Sequence, residues 1–214
     1  MGEDGDQLSK AGVVVTVTNV TPQLTQTTDA IGRYEFANLR NGTYNLTYTR
    51  PGLGLHKVFG FGHVGGEQPS FVGTTFLSQV SNTTVTNLTV VSPQFDSSNG
   101  SYAQLSATVA NPTSSNSYRR VAVYASASAE VTSATGTLLG EYFVYQGSNG
   151  PTSTISVPQA AFTGAGFATG SRVYAIAYGA PDYYGNSYTE IATGRQVLTA
   201  LNPVGSQVVS FTAP

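Results

Sequence analysis

The chain has no cysteine and only two histidines among its 214 residues. Without thiols there is no disulfide framework, no thiolate nucleophile and no zinc–sulfur site. Charge is also sparse: Asp, Glu, Lys and Arg make up 9% of the residues, and the net charge is −2 with no basic stripe. The electrostatic footprint that holds a phosphate backbone is therefore missing, and nucleic acid is excluded as an expected partner. No run of about 18 apolar residues occurs, so no stretch has the length of a membrane-spanning helix.

Scarcity also limits catalysis. A Ser-His-Asp triad has two candidate bases, and no G-x-S-x-G elbow accompanies the many serines. His56 and His63 lie seven residues apart in a Gly-rich stretch, and a metal site there needs a third ligand such as Glu67. That spacing matches no zinc pattern, so no metal and no cofactor are expected. The acidic residues are scattered singly, and nothing in the sequence singles out a pair such as Glu130 with Glu141 for glycoside hydrolysis. No catalytic residue is assigned.

What is present is 40% apolar content together with 24 glycines and 13 tyrosines. Short strands and polar turns follow from such a composition, and the length suits two cores. The expected fold is all-β, with two tandem antiparallel β-sandwich domains. The leader "MGEDGDQLSK" is acidic and Gly-rich. It reads as a flexible tether over residues 1–9, with Met1 and Gly2 standing where an export signal has been removed. "EDGD" lacks the bidentate Glu of a calcium loop and belongs to the tether.

Along the chain, "GVVVTVTNV" places Val13, Val15 and Val17 on one face at period two. "RYEFANL" and "TYNLTYT" alternate in the same way, which predicts antiparallel neighbours joined by a tight turn at Asn41-Gly42. Asp29 and Gly32 bracket an earlier turn, in which Asp29 accepts backbone N–H bonds. The Gly-rich stretch from Pro51 to Gln68 predicts a bulged strand followed by a loop. Further strands are expected in "TTFLSQV" and "TTVTNLTVV", and the Pro/Ser/Gly-rich "SPQFDSSNGS" predicts a domain boundary near Ser92. Seven candidate strands follow, with one helical turn at "PQAAFTGAG".

Thr28, Asp29, Gly32, Tyr34, Phe36, Leu39, Gly42, Tyr44 and Leu46 fill the pattern T-D-x-x-G-x-Y-x-F-x-x-L-x-x-G-x-Y-x-L. This pattern resembles the carboxypeptidase regulatory-like domain, a transthyretin-like sandwich grouped near carbohydrate-binding-like folds. The resemblance covers residues 10–91 and implies a module without peptidase chemistry. Residues 92–214 resemble an immunoglobulin-like or fibronectin-III-like sandwich in strand number. The charged leader is similar to the stretch after the lipidated cysteine of bacterial surface lipoproteins. Together these imply an exported Bacteroidetes-type surface lipoprotein, at the cell surface or in the periplasm, with a lipid anchor in the full-length protein.

The function expected is a non-catalytic structural or binding module of that compartment. A carbohydrate-binding protein of a nutrient-capture system is the alternative, and a hydrolase accessory or cryptic enzyme the third. The candidate ligand site is "YGAPDYYGNSYTE", where Tyr178, Tyr183, Tyr184 and Tyr188 crowd a loop with Asp182 and Asn186. Tyrosine offers a rigid flat ring with a polar tip, suited to a glycan or to a surface protein.

Overall fold

The computed structural model describes residues 1–2, 6–66, 68–96, 100–110, 118–145, 152–181 and 187–214. In chain order its strands are β1 (Val14–Val17), β2 (Leu24–Thr27), β3 (Gly42–Thr49), β4 (His56–His63), β5 (Thr84–Asp96), β6 (Gly100–Ala110), β7 (Tyr118–Ser126), β8 (Thr137–Tyr145) and β9 (Thr152–Pro158). A short helix, α1 (Gln159–Gly164), precedes β10 (Arg172–Ala180), β11 (Ser187–Thr189), β12 (Gln196–Leu198) and β13 (Val209–Thr212). The fold is all-β, and the pairings within its sheets are antiparallel.

The chain divides into two compact units. One comprises Met1–Val80 with Tyr183–Ala200, the other Ser81–Asp182 with Leu201–Pro214. The segment divided near Ser92 by its composition runs on as one strand, because β5 continues to Asp96 and turns back into β6. Pro93 is tolerated there since β5 is an outer strand of its sheet, where one side of the backbone needs no ladder partner.

In the first unit the sheet order is β2-β1-β3-β4. The period-two pattern of β1 is realised: Val13, Val15 and Val17 are buried while Val14 faces outward. Tyr44, Leu46 and Tyr48 of β3 join them, and Tyr34, Phe36, Leu39, Val72 and Leu77 pack on this core from outside the sheet. Tyr34 and Phe36 therefore face the core as expected but lie in irregular chain, not in a strand beside β3. "TTFLSQV" likewise forms no strand; Gln79 makes an isolated bridge to Leu53.

The turn at Thr28–Arg33 is built from side chains. Asp29 Oδ1 accepts the N–H groups of Ile31 at 3.0 Å and Arg33 at 2.8 Å, and Gly32 adopts φ 84°, a left-handed conformation that a Cβ would hinder. Thr28 Oγ1 accepts from Val13 N at 2.9 Å and donates to the Lys10 carbonyl at 2.7 Å, which ties this turn to the start of β1. Gly42 instead opens β3, and the positive φ in that region belongs to Asn38 at 59°. The Gly-rich β4 carries the expected bulge: Phe59 and Gly60 stand opposite Asn45, whose Oδ1 accepts Gly60 N–H at 3.0 Å. Within the expected tether, the Met1 amino group donates to the Leu77 carbonyl at 2.7 Å and Gln79 N–H to the Met1 carbonyl at 2.8 Å.

The second unit is a two-layer sandwich of sheets β13-β10-β7-β8 and β5-β6-β9. Leu88, Leu105, Val109, Val121, Val123, Val144, Ile155, Val157 and Val173 fill the space between them. Each such side chain contributes roughly 1.5–3 kcal/mol by leaving water. The helix α1 closes one end, with Phe162 fully buried and set edge-on to Phe211 at 5.7 Å. At Gly179 the backbone of β10 meets Thr83 so closely that a Cβ would sit 1.8 Å from the Thr83 carbonyl oxygen.

Candidate functional site

The Tyr-rich loop is represented among the described residues by its two ends. Asp182, Tyr183, Tyr184 and Asn186 lie outside them. Tyr178 belongs to the second unit and is a packing residue: it is buried, its ring meets Tyr124 edge-on at 6.0 Å, and its hydroxyl accepts Ser133 N–H at 3.3 Å. Tyr188 belongs to the first unit, on the hairpin formed by β11 and β12.

Around Tyr188 the hairpin grips β4. The Tyr188 ring meets Phe59 at 6.1 Å, and Lys57 Nζ lies 4.9 Å from the Tyr188 ring centre and 3.2 Å from Glu190 Oε2. Lys57 pairs with Thr47 and so faces away from the core residues Leu46 and Tyr48. Burial disfavours the Lys57 ammonium, but its hydrogen bond to Glu190 and the neighbouring Tyr188 outweigh this and raise its pKa. This cluster is satisfied internally and holds the hairpin in place. Elsewhere on the unit, a depression of about 370 Å³ is lined by Val14, Thr49, Pro51, Leu53, Leu55 and Arg50. The Arg50 guanidinium already donates to the Ser9 carbonyl.

A second aromatic group lies on the second unit. Register pairs Tyr118 with Tyr145 and Arg120 with Phe143 across β7 and β8, which places all four side chains on one side of the sheet. Tyr118, Phe143 and Tyr145 are 57%, 53% and 44% exposed. Tyr118 is 5.1 Å from Tyr145 and 6.5 Å from Phe143, edge-on to both. The buried Arg120 guanidinium lies 5.0 Å over Phe143 and 3.7 Å from Glu141 Oε1. Burial raises the Glu141 pKa, with Arg120 working against it. Between these outward residues, Tyr142 and Val144 turn to the core, and burial pushes the Tyr142 phenol up to about 12.

No family model and no curated protein matches the chain. Several solved structures resemble it, among them three at 13–14% identity. One is a candidate carbohydrate binding protein from Bacteroides uniformis, at 14% identity and TM-score 0.37, covering 99% of this chain and 95% of its own. The second is a DUF3823 family protein from Bacteroides uniformis, at 14% identity and TM-score 0.33, covering 98% of this chain and 92% of its own. The third is a DUF3823 family protein from Parabacteroides merdae, at 13% identity and TM-score 0.34, covering 97% and 93%. Likeness of this degree assigns neither a family nor a ligand.

The histidines serve packing and loop closure. His63 bonds Ser70 Oγ through Nδ1 at 2.9 Å and the Leu39 carbonyl through Nε2 at 3.2 Å. His56 pairs with Tyr48 across the sheet, their ring centres 6.0 Å apart. Glu67 lies outside the described residues, and among those residues no three His, Asp or Glu side chains gather as metal ligands. No described helix is long and apolar enough to cross a membrane.

Tyr118, Phe143 and Tyr145 escaped the sequence reading because "LLGEYFVYQ" has aromatic residues on both faces. The usable signal was phase: Phe143 and Tyr145 alternate against Tyr142 and Val144, so whichever pair fills the core, the other faces out.

Proposed function

We propose that this chain is a non-catalytic binding module of an exported bacterial protein, working at the cell surface or in the periplasm. The observation that carries this reading is the exposed ring group Tyr118, Phe143 and Tyr145 on the outer side of one sheet. Neighbouring exposed rings on rigid strands mark a contact surface, because they offer apolar area with little conformational freedom left to lose. The carboxylate beside them, Glu141, is ion-paired with Arg120, which suits an orienting acceptor. The ligand in this reading is a glycan or a surface protein, and a nutrient-capture system is the setting that best fits a glycan.

The finer assignments belong to the same proposal: a carboxypeptidase regulatory-like identity for the first unit, an immunoglobulin-like or fibronectin-III-like one for the second, and a lipid anchor in the full-length protein. The loop holding Asp182, Tyr183, Tyr184, Asn186 and Tyr188 is proposed as an additional contact. The test is incubation with insoluble and soluble polysaccharides, reading both retention of the protein and release of reducing ends. Retention without release is expected. Sustained release by the purified chain would overturn the non-catalytic reading.

A further inference from the structure

We propose that Tyr118, Phe143 and Tyr145 form a stacking site for a neutral saccharide, with the Glu141 carboxylate, held in place by the buried Arg120, accepting from its hydroxyl groups. This rests on the binding-module reading and names the ligand class for its site.

The argument begins with burial. Tyr124 and Tyr178, on adjacent strands of the same sheet, are packed away from water, whereas the three rings at the β8 end stay about half exposed. The sheet fixes their backbones, and the cross-strand register holds Tyr118 against Tyr145, so little ordering remains to be done on binding. The surface combines apolar ring area with two phenol tips and a carboxylate oxygen. A pyranose has the matching character: C–H faces that pack on rings and hydroxyls that both donate and accept.

Charge selects among sugars. The Arg120 guanidinium is held between the Phe143 ring at 5.0 Å and Glu141 at 3.7 Å, so its charge is already balanced where it stands. A uronate would bring a second carboxylate next to Glu141, and like charges at such a site repel. Size argues against a protein ligand at these rings alone. Aromatic side chains bury about 150–250 Å² each, so three half-exposed rings offer roughly 300 Å². A stable protein interface needs about 800 Å² per partner.

The test is equilibrium titration of the full chain with cellohexaose, maltohexaose, xylohexaose and mannohexaose as neutral probes and oligogalacturonate as the anionic one. The variants are Tyr118→Ala/Tyr145→Ala, Phe143→Ala and the conservative Tyr118→Phe/Tyr145→Phe, with Phe76→Ala, an exposed ring of the first unit, as a control. Thermal melts accompany each, and the Phe pair keeps the test open should the Ala pair misfold. The expected result is that at least one neutral probe binds, that either Ala variant weakens it more than tenfold, and that the Phe pair weakens it several-fold at most. Phe76→Ala is expected to leave it unchanged.

Neutral binding untouched by the Ala variants would overturn the site and leave the module reading standing. Preference for oligogalacturonate would overturn the neutral class alone. Absence of binding by every probe would overturn the inference, and self-association lost in the Ala pair would reassign the rings to a copy of this chain. Cleavage of a probe would overturn the module reading itself.

Discussion

The Tyr118 ring stands 5.1 Å from that of Tyr145, its cross-strand partner, and both are open to solvent. A pair placed this way contributes little to folding. Replacing both with alanine is expected to cost about 1 kcal/mol or less in a urea melt, the range of an exposed cross-strand aromatic pair. Leu105→Ala, on a fully buried side chain of the same sandwich, is expected to cost about 2–5 kcal/mol. Equal losses for the two variants would mean that the tyrosines are structural.

Gly179 is required by close approach. With a Cβ only 1.8 Å from the Thr83 carbonyl oxygen, Gly179→Ala must displace backbone, and a loss of about 3 kcal/mol or more is expected. Gly164 ends α1 with open space around it, so Gly164→Ala is expected to be neutral or to stabilise by up to about 1 kcal/mol. Chemical denaturation of the two variants side by side checks the contrast.

The hairpin of β11 and β12 is held to β4 by Lys57, Tyr188 and Glu190. A double-mutant cycle on Lys57→Met and Glu190→Gln is expected to give a coupling of about 0.2–1 kcal/mol, as for other partly exposed pairs. Because the folded-state pKa of Lys57 is raised, the pair's contribution is complete below about pH 10.4 and is lost as pH climbs through the raised value. Alkaline stability profiles of the parent and of Lys57→Met should therefore converge at the highest pH. Profiles that stay parallel throughout would remove the ion pair from the account.

His56 gives the acid-side counterpart. Burial lowers its pKa, and among the described residues its Nδ1 atom is buried without a hydrogen-bond partner. As pH falls below about 6.5 the unfolded chain takes up a proton that the folded one resists, so stability declines until the lowered value is passed. His56→Phe is expected to flatten the profile in that window, and an NMR titration of the ring should give a midpoint below 6.5. A midpoint at or above that value would contradict the stated cause.

Much of the first unit was legible because period-two alternation fixes faces. Val13, Val15 and Val17, with Tyr44, Leu46 and Tyr48, are buried where that period puts them. Alternation does not name partners, however, and Tyr34 and Phe36 reach the same core without being a strand. In β10, Ile176 and Tyr178 lie on one face and Ala175 and Ala177 on the other, yet all four are buried, so the sequence could not say that Tyr178 is covered. "EIATGRQVLTAL" read as one strand, but the chain reverses where Glu190 accepts Gly194 N–H at 2.8 Å and donates to the Arg195 carbonyl at 2.8 Å. That turn gives Tyr188 its cross-strand partner Val197.

The central claim, that exposed rings on β7 and β8 are where this module meets its ligand, is tested most directly by NMR on protein labelled at tyrosine rings. Titration with the tightest-binding neutral hexasaccharide is predicted to move the Tyr118 and Tyr145 ring signals together, along one saturation curve, while the buried Tyr124 stays fixed. Saturating shifts confined to other tyrosines, with Tyr118 and Tyr145 unmoved, would contradict it.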